Sequence, residues 1–245
     1  AVEALKVIID QVGGINTIKA MGIGAPNGNF YTGTIEFAPN LSWGRSGIVP
    51  LADMFSKRLE GIPVGLTNDA NAAAIGEMTY GVARGMKNFM VITLGTGVGS
   101  GIVVNGQMVY GSDGFAGELG HMIVRPHGRQ CGCGRKGCLE AYCSATGVAR
   151  SAREFLKESD ESSLLRDINA DDITALDVSI AAGKGDALAN RVYDFTGKLL
   201  GEACANFMTF SSPEAFIFFG GLTKAGDLLM KPLIESYNDT VLPIY

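Results

Sequence analysis

Cysteine, histidine and tryptophan are scarce, with five, two and one copies in 245 residues. So few cysteines do not make a disulfide scaffold; they suit a reducing cytoplasm, which is the expected location. A positive excess is also missing. Lys and Arg number 20 against 25 Asp and Glu, a formal net charge of −5, and no long basic run occurs. Nucleic-acid surfaces draw affinity from clustered Lys and Arg, so no nucleic-acid partner is expected. Hydrophobic residues make up 47% of the chain, yet no unbroken apolar run approaches the ~18 residues of a membrane span. The longest, 207–219, is interrupted by Ser211, Ser212, Pro213 and Glu214. No charged, apolar, small-residue leader opens the chain, so secretion is not expected. The chain opens on Ala1 and not Met, and it stops at Leu242-Pro243-Ile244-Tyr245 soon after a helical pattern. A longer parent chain is expected.

What is present alternates between helix and strand signals. Val2, Leu5, Ile8, Ile9 and Val12 recur at helical spacing, and Gly13-Gly14 stops that helix. Residues 19–25 read as a buried strand, 49–60 as a helix and 62–67 as a short strand. The last empties into Asn68-Asp69-Ala70-Asn71, where an Ala-rich helix begins. After Gly85 an apolar strand, 88–94, meets a glycine-rich turn, 95–101. A strand at 102–104, a hairpin signal at Asn105-Gly106 and a returning strand at 107–110 follow. One helix is expected over 139–158, two more over 173–182 and 187–210, a strand over 215–219 and a last helix over 224–237. This is the α/β alternation of an open sheet, in which ligands sit beyond the C-terminal ends of strands. Two α/β halves are expected, with a hinge near 70–85.

Four of the seven Cys and His residues, His121, Cys131, Cys133 and Cys138, fall within eighteen positions. One imidazole and three thiolates are what a closed tetrahedral zinc site requires, and with no open position the ion is structural. The bland alternative is a set of buried free cysteines, but the surrounding sequence is polar and glycine-rich. Glu118 and Glu140 bracket the cluster, and carboxylates fixed by a rigid loop make good acceptors for sugar hydroxyls. Glu60, Glu77, Glu154, Glu158 and Glu161 lack that context and read as surface. Cys143 and Cys204 read as core, and His127 as solvated. Asp69 at a strand end can take a proton from a hydroxyl, although from the Asn68-Asp69 pair alone helix capping is the simpler reading. Gly95, Thr96 and Gly97 allow backbone N–H groups near a phosphate, or form an ordinary tight hairpin. Gly220-Gly221, between strand and helix, is equally weak alone.

Together and in this order these segments resemble the ROK family of bacterial sugar kinases and sugar-responsive repressors. The resemblance covers essentially the whole chain. It rests on Gly22-Ile23-Gly24-Ala25-Pro26, Asn40-Leu41-Ser42-Trp43, Asn68-Asp69-Ala70-Asn71-Ala72-Ala73-Ala74, Leu94-Gly95-Thr96-Gly97-Val98-Gly99, Gly117-Glu118-Leu119-Gly120-His121, the C-x-C-G-x2-G-C-L-E stretch and Phe219-Gly220-Gly221. The glutamate, histidine and cysteine block is specific to that family; the glycine turns are not.

The resemblance implies an actin-like, hexokinase-like (ribonuclease H-like) α/β fold of two lobes closing on a cleft. Residues 1–75 would be the remainder of an N-terminal lobe and 76–245 a C-terminal lobe carrying a zinc loop at 121–138. It implies a glucokinase-type phosphotransferase using ATP with Mg²⁺ to phosphorylate a hexose or N-acetylhexosamine, at the 6-OH, with Asp69 as catalytic base. Asn68, Glu118, His121 and Glu140 would hold the sugar. Gly95, Thr96 and Gly97 would line the phosphate path, and Gly220 and Gly221 the nucleoside. His121 would serve sugar and zinc together, since imidazole has two nitrogens. A homodimer is implied. The alternative within the family is a sugar-sensing repressor whose DNA-binding segment is not in this chain. One departure stands out: family kinases begin with a strand and an Asp-x-Gly-Gly-Thr phosphate turn, which this chain does not contain.

Overall fold

The computed structural model describes residues 2–38 and 41–245. Asn40 of the Asn40-Leu41-Ser42-Trp43 motif and the side chain of Val2 lie outside the described residues. The chain divides into two units: Ala1–Gly85 with Gln107–Gly117, and Met86–Gly106 with Glu118–Tyr245.

In the first unit, helix α1 (Val2–Gln11) forms where the 3.6-residue period predicts it. Its apolar face is largely open: Ile9 is buried, but Val7, Ile8 and Val12 are exposed. Strand β1 (Met21–Gly24) runs parallel to β5 (Val64–Thr67). Between them lie an antiparallel trio, β2 (Gly28–Asn29), β3 (Thr34–Glu36) and β4 (Ile48–Val49), and helix α2 (Leu51–Arg58). Ile35, Ala38 and Leu66 centre a small core, with Ile23, Leu51 and Val64 packed on it. Helix α3 (Asp69–Tyr80) follows β5 directly. Residues 107–117 return to this unit: the Tyr110 ring stacks on Phe30 with centroids 4.1 Å apart, and Asn29 Nδ2 donates to the Asp113 carbonyl at 2.8 Å.

The second unit is built on strand β6 (Phe89–Leu94), which runs antiparallel to β7 (Val98–Val104) and parallel to β9 (Ala215–Phe219). β6 reads as a continuous apolar run because both faces are covered; Phe89, Met90, Val91 and Leu94 are fully buried. β7 begins at Val98, four residues before the expected start at 102. At Asn105-Gly106 both residues have positive φ, 53° and 75°, the backbone of a type I′ hairpin turn, and the chain passes into the short strand β8 (Gln107–Met108).

The helix expected over 139–158 is two helices, α4 (Glu140–Cys143) and α5 (Ala145–Glu158). Ser144 breaks it by adopting an extended conformation and capping α5, its Oγ accepting from Gly147 N–H at 3.0 Å. α6 (Ala175–Gly183) and the 25-residue α7 (Ala187–Ser211) follow. The last helix, α8 (Asp227–Thr240), starts three residues later than expected because a short 3-10 turn occupies Gly221–Ala225. No described helix is long and apolar enough to cross a membrane.

α7 and α8 meet backbone to side chain. A Cβ on Gly197 would sit 2.6 Å from Pro232 Cγ, and one on Gly201 2.4 Å from the Leu233 carbonyl oxygen. Gly76, on α3, has open space where its Cβ would be. Gly201→Val is therefore expected to lower unfolding stability by about 1–3 kcal/mol through overpacking. Gly76→Ala should raise it by about 0.4–1 kcal/mol through helix propensity and unfolded-state entropy. Equilibrium urea unfolding of both variants checks the pair.

Candidate functional site

The segment from Leu119 to Glu140 folds back on itself as an irregular hairpin, closed by bridges between Ile123 and Cys138 and between Gln130 and Lys136. Two tight turns shape its tip: Cys131 N–H donates to the Arg135 carbonyl at 2.9 Å, and Gly134 N–H to the Cys131 carbonyl at 3.1 Å. Gly137 is required where the two arms of the hairpin pack together. Its φ is +83°, and a Cβ there would fall 1.8 Å from the Arg125 carbonyl oxygen.

This fold brings the four predicted ligands together. One donor atom from each of His121, Cys131, Cys133 and Cys138 lies within 4.8 Å of all the others. Cys133 and Cys138 Sγ are 3.7 Å apart, and Cys131 Sγ is 3.7 Å from His121 Nδ1. Two sulfurs each about 2.3 Å from a tetrahedral zinc are about 3.8 Å apart. The cluster has the donor chemistry and the spacing to hold that ion. Burial pushes the Cys131 thiol up to about 12, and the Cys133 backbone N–H offsets only part of this. With Nδ1 turned to the thiols, His121 Nε2 faces outward, 4.0 Å from Glu118 Oε2. Glu118 is exposed and Glu140 half-buried.

Arg129 pins this loop to the helices, and nothing in the sequence singled it out. Its side chain is only 8% exposed. The guanidinium lies 4.5 Å from the Tyr142 ring centroid and donates to Glu154 Oε2 at 3.0 Å and Ser151 Oγ at 2.9 Å. Glu154, read from sequence as a surface group, is thus a structural partner. Burial alone would raise its pKa, but hydrogen bonds from Arg150 and Arg129 outweigh that and hold it below the ordinary glutamate value. The sole local clue is the Arg150–Glu154 spacing of four residues.

Gly95, Thr96 and Gly97 form the turn between β6 and β7. Ala145 N–H donates to the Gly95 carbonyl at 2.8 Å, and Thr146 Oγ1 to the Thr96 carbonyl at 3.1 Å, so the break at Ser144 is where α5 meets this turn. Beside it opens a cavity of about 410 Å³, lined by Gly95, Thr96, Leu176, Ser179, Gly221 and Lys224, among others. Three of the five predicted nucleotide-side residues therefore share one cavity. Gly97 faces Glu140 instead, and Gly220 (φ +116°) backs onto Leu94, where a Cβ would lie 2.5 Å from the carbonyl oxygen. The α6 residues Leu176 and Ser179 had no sequence motif to mark them.

Asn68 and Asp69 belong to the first unit. Asn68 is the N-cap of α3, its Oδ1 accepting from Ala70 N–H at 2.8 Å. Asp69, exposed at the first helical position, accepts from the same N–H through Oδ1 at 2.9 Å. Both are held by local geometry, and Gly24 lets β1 approach: its Cβ would be 2.8 Å from Ala72 Cβ. Cys143 and Cys204 are buried and His127 is exposed, as the sequence led one to expect.

An α/β fold of the actin-like, hexokinase-like type with a Cys₃His loop defines the class. A ROK family glucokinase from Streptomyces griseus, solved in complex with glucose and AMPPNP, matches with a TM-score of 0.83 at 34% identity, over 98% of this chain and 78% of its own. A glucokinase of Halalkalibacterium halodurans is 44% identical over 226 residues, 91% of this chain and 67% of the relative. A xylose repressor of Caldicellulosiruptor bescii is 30% identical over 90% of this chain and 55% of the relative. The ROK family model matches residues 2–243, and the chain belongs to that family.

Cys133 is the exposed member of the cluster, so Cys133→Ser should disturb the core least. Metal analysis should find one zinc per chain in the unaltered protein and little in this variant, whereas Cys204→Ala should keep its metal.

Proposed function

We propose that the protein phosphorylates a hexose or N-acetylhexosamine with ATP, at the exocyclic 6-OH. One observation carries the reading: Glu118, His121 and Glu140 are gathered around the four-donor cluster in the unit that also holds the glycine-walled cavity. The glucose- and AMPPNP-bound relative shares this fold over nearly the whole chain, and the glucokinase relatives are more similar in sequence than the repressors.

In this reading His121, Cys131, Cys133 and Cys138 hold a structural zinc, which fixes the loop and leaves His121 Nε2 free of the metal. Nε2, the carboxylates of Glu118 and Glu140, and the Asn68 amide bind sugar hydroxyls. Asn68 is suited to this because capping uses only its Oδ1, leaving Nδ2 to donate. Asp69 accepts the proton of the attacking hydroxyl as that oxygen bonds to the γ-phosphorus and the bond to ADP breaks. Its second carboxylate oxygen is available for this while Oδ1 accepts from Ala70. Backbone N–H groups of Thr96 and Gly97 orient the phosphates, and Gly95, whose own N–H donates to the Gly97 carbonyl at 3.0 Å, lines their path. Leu176, Gly221 and neighbouring residues give the nucleoside an apolar seat, with Gly220 setting the bend that opens it. Mg²⁺, bound with ATP, neutralises phosphate charge. Positioning and electrostatics dominate such transfers, as there is little covalent chemistry for the protein to do. Three cysteines kept as metal ligands and two as buried thiols, none paired in a disulfide, suit a reducing, cytoplasmic setting; the homodimer implied by the family resemblance belongs to the same proposal.

Asp69→Asn keeps the helix start and removes the base. Turnover of ATP with glucose should fall by about 10²–10⁴, while glucose affinity by calorimetry stays within a few-fold. A variant that keeps most of its turnover would show that Asp69 is not the base.

A further inference from the structure

Glu140, a sugar ligand in the proposed reading, makes two further contacts in this structure. Its Oε2 accepts from Val98 N–H at 3.0 Å, at the end of the glycine turn. Its Oε1 lies 3.5 Å from Cys131 Sγ, within the four-donor cluster. A Cβ on Gly97 would sit 2.4 Å from Oε2, so this carboxylate occupies the space a side chain would take. The backbone of Glu140 is equally constrained. Cys138 and Leu139, just before it, are fully buried, and Leu139 N–H donates to the Met122 carbonyl at 2.9 Å. A second contact joins the same two regions from the other side. A Cβ on Gly120 would fall 1.9 Å from the Val98 carbonyl oxygen, and Leu119 N–H donates to Ser100 Oγ at 3.2 Å. Val98 is therefore gripped at its N–H by Glu140, two residues after Cys138, and crowded at its carbonyl by Gly120, one residue before His121.

We infer that Glu140 is a positioning residue that ties the glycine turn to the four-donor loop, so that metal occupancy sets the conformation of residues 95–98. The inference rests on the proposed nucleotide role of that turn only for its catalytic consequence. A carboxylate accepting a backbone N–H is among the stronger hydrogen bonds, and here it ties the first residue of β7, where the glycine turn ends, to the first residue of α4, where the four-donor loop ends. Loss of the metal returns Cys131 from a thiolate to a thiol that donates to Oε1 and releases the loop that carries it, which shifts Oε1, and with it Oε2 and Val98. The metal, which takes no part in the chemical step, then acts on the phosphate side as well as the sugar side.

The test is amide hydrogen exchange across 95–99 in the unliganded protein, with AMPPNP affinity measured in the absence of sugar. In Glu140→Ala, exchange at Val98 should rise at least about tenfold through local opening. Glu140→Gln, which keeps an acceptor, should protect Val98 nearly as well as the unaltered chain. Gly97→Ala, which pushes on the carboxylate from the other side, should loosen Val98 too. The double variant Gly97→Ala/Glu140→Ala should match Glu140→Ala alone, because the clash partner is gone. Chelating the metal should raise Val98 exchange in the unaltered chain and leave Glu140→Ala unchanged. AMPPNP affinity should fall roughly 10- to 100-fold in Glu140→Ala, the scale of an outer-shell loss. Unchanged Val98 exchange in Glu140→Ala, or on chelation, would overturn the coupling; so would additive effects of the two substitutions. If Glu140→Ala does not fold, Gly97→Ala with chelation decides the matter alone. If the unaltered chain binds no AMPPNP while the exchange responses appear, the kinase reading falls and the coupling stands.

Discussion

Two carbonyl oxygens leave no room for a side chain, and the site is built around that steric fact. Gly137 passes the Arg125 carbonyl and Gly120 passes the Val98 carbonyl so closely that a Cβ would lie within 2 Å of oxygen in each case. The first contact lets the loop cross over itself, bringing Cys138 back beside Cys133 and Cys131. The second lays the turn that carries His121 against β7. Without these approaches the four donors would stay scattered along eighteen residues of polar chain, and neither Glu118 nor Glu140 would lie beside them. Loop shape comes first, and the electrostatics are arranged on it.

That shape also explains the division of labour among the charged groups. Arg129 is buried under the loop, and its charge is met by Glu154, by carbonyls and by the Tyr142 ring face. It anchors the loop and is not presented to a ligand. Glu118, His121 and Glu140 keep exposed or half-exposed positions, as the sugar contacts proposed for them require.

Much of this was legible in the sequence, and the reasons are physical. The donor cluster shows because metal-binding chemistry uses rare residues at short spacing. β6 shows because a strand covered on both faces is apolar throughout, and Asn105-Gly106 shows because few residues tolerate two successive positive φ angles. Asn68 was read both as a cap and as a ligand; the structure gives its Oδ1 to the cap. What stayed hidden depends on partners distant in the chain. Residues 139–158 have an unbroken helical pattern, and the break at Ser144 comes from the meeting of α5 with the glycine turn some fifty residues away. Glu154 looked like any helix-surface glutamate, since Arg129 lies on a loop 25 residues earlier. Leu176 and Ser179 line the cavity through packing alone, which no local pattern announces. The open face of α1 errs the other way: its periodicity gave the helix correctly, but said nothing about what covers it.

In the proposed reading a bound metal organises the groups that hold the sugar and takes no part in the reaction. The most direct test is titration calorimetry of glucose against the protein before and after chelation, and again after zinc is restored. Stripping is expected to weaken glucose binding about tenfold or more, the scale seen when supporting groups around a site are lost, and zinc to recover it. Equal glucose affinity in the loaded and stripped protein would mean that the metal does not organise the sugar site.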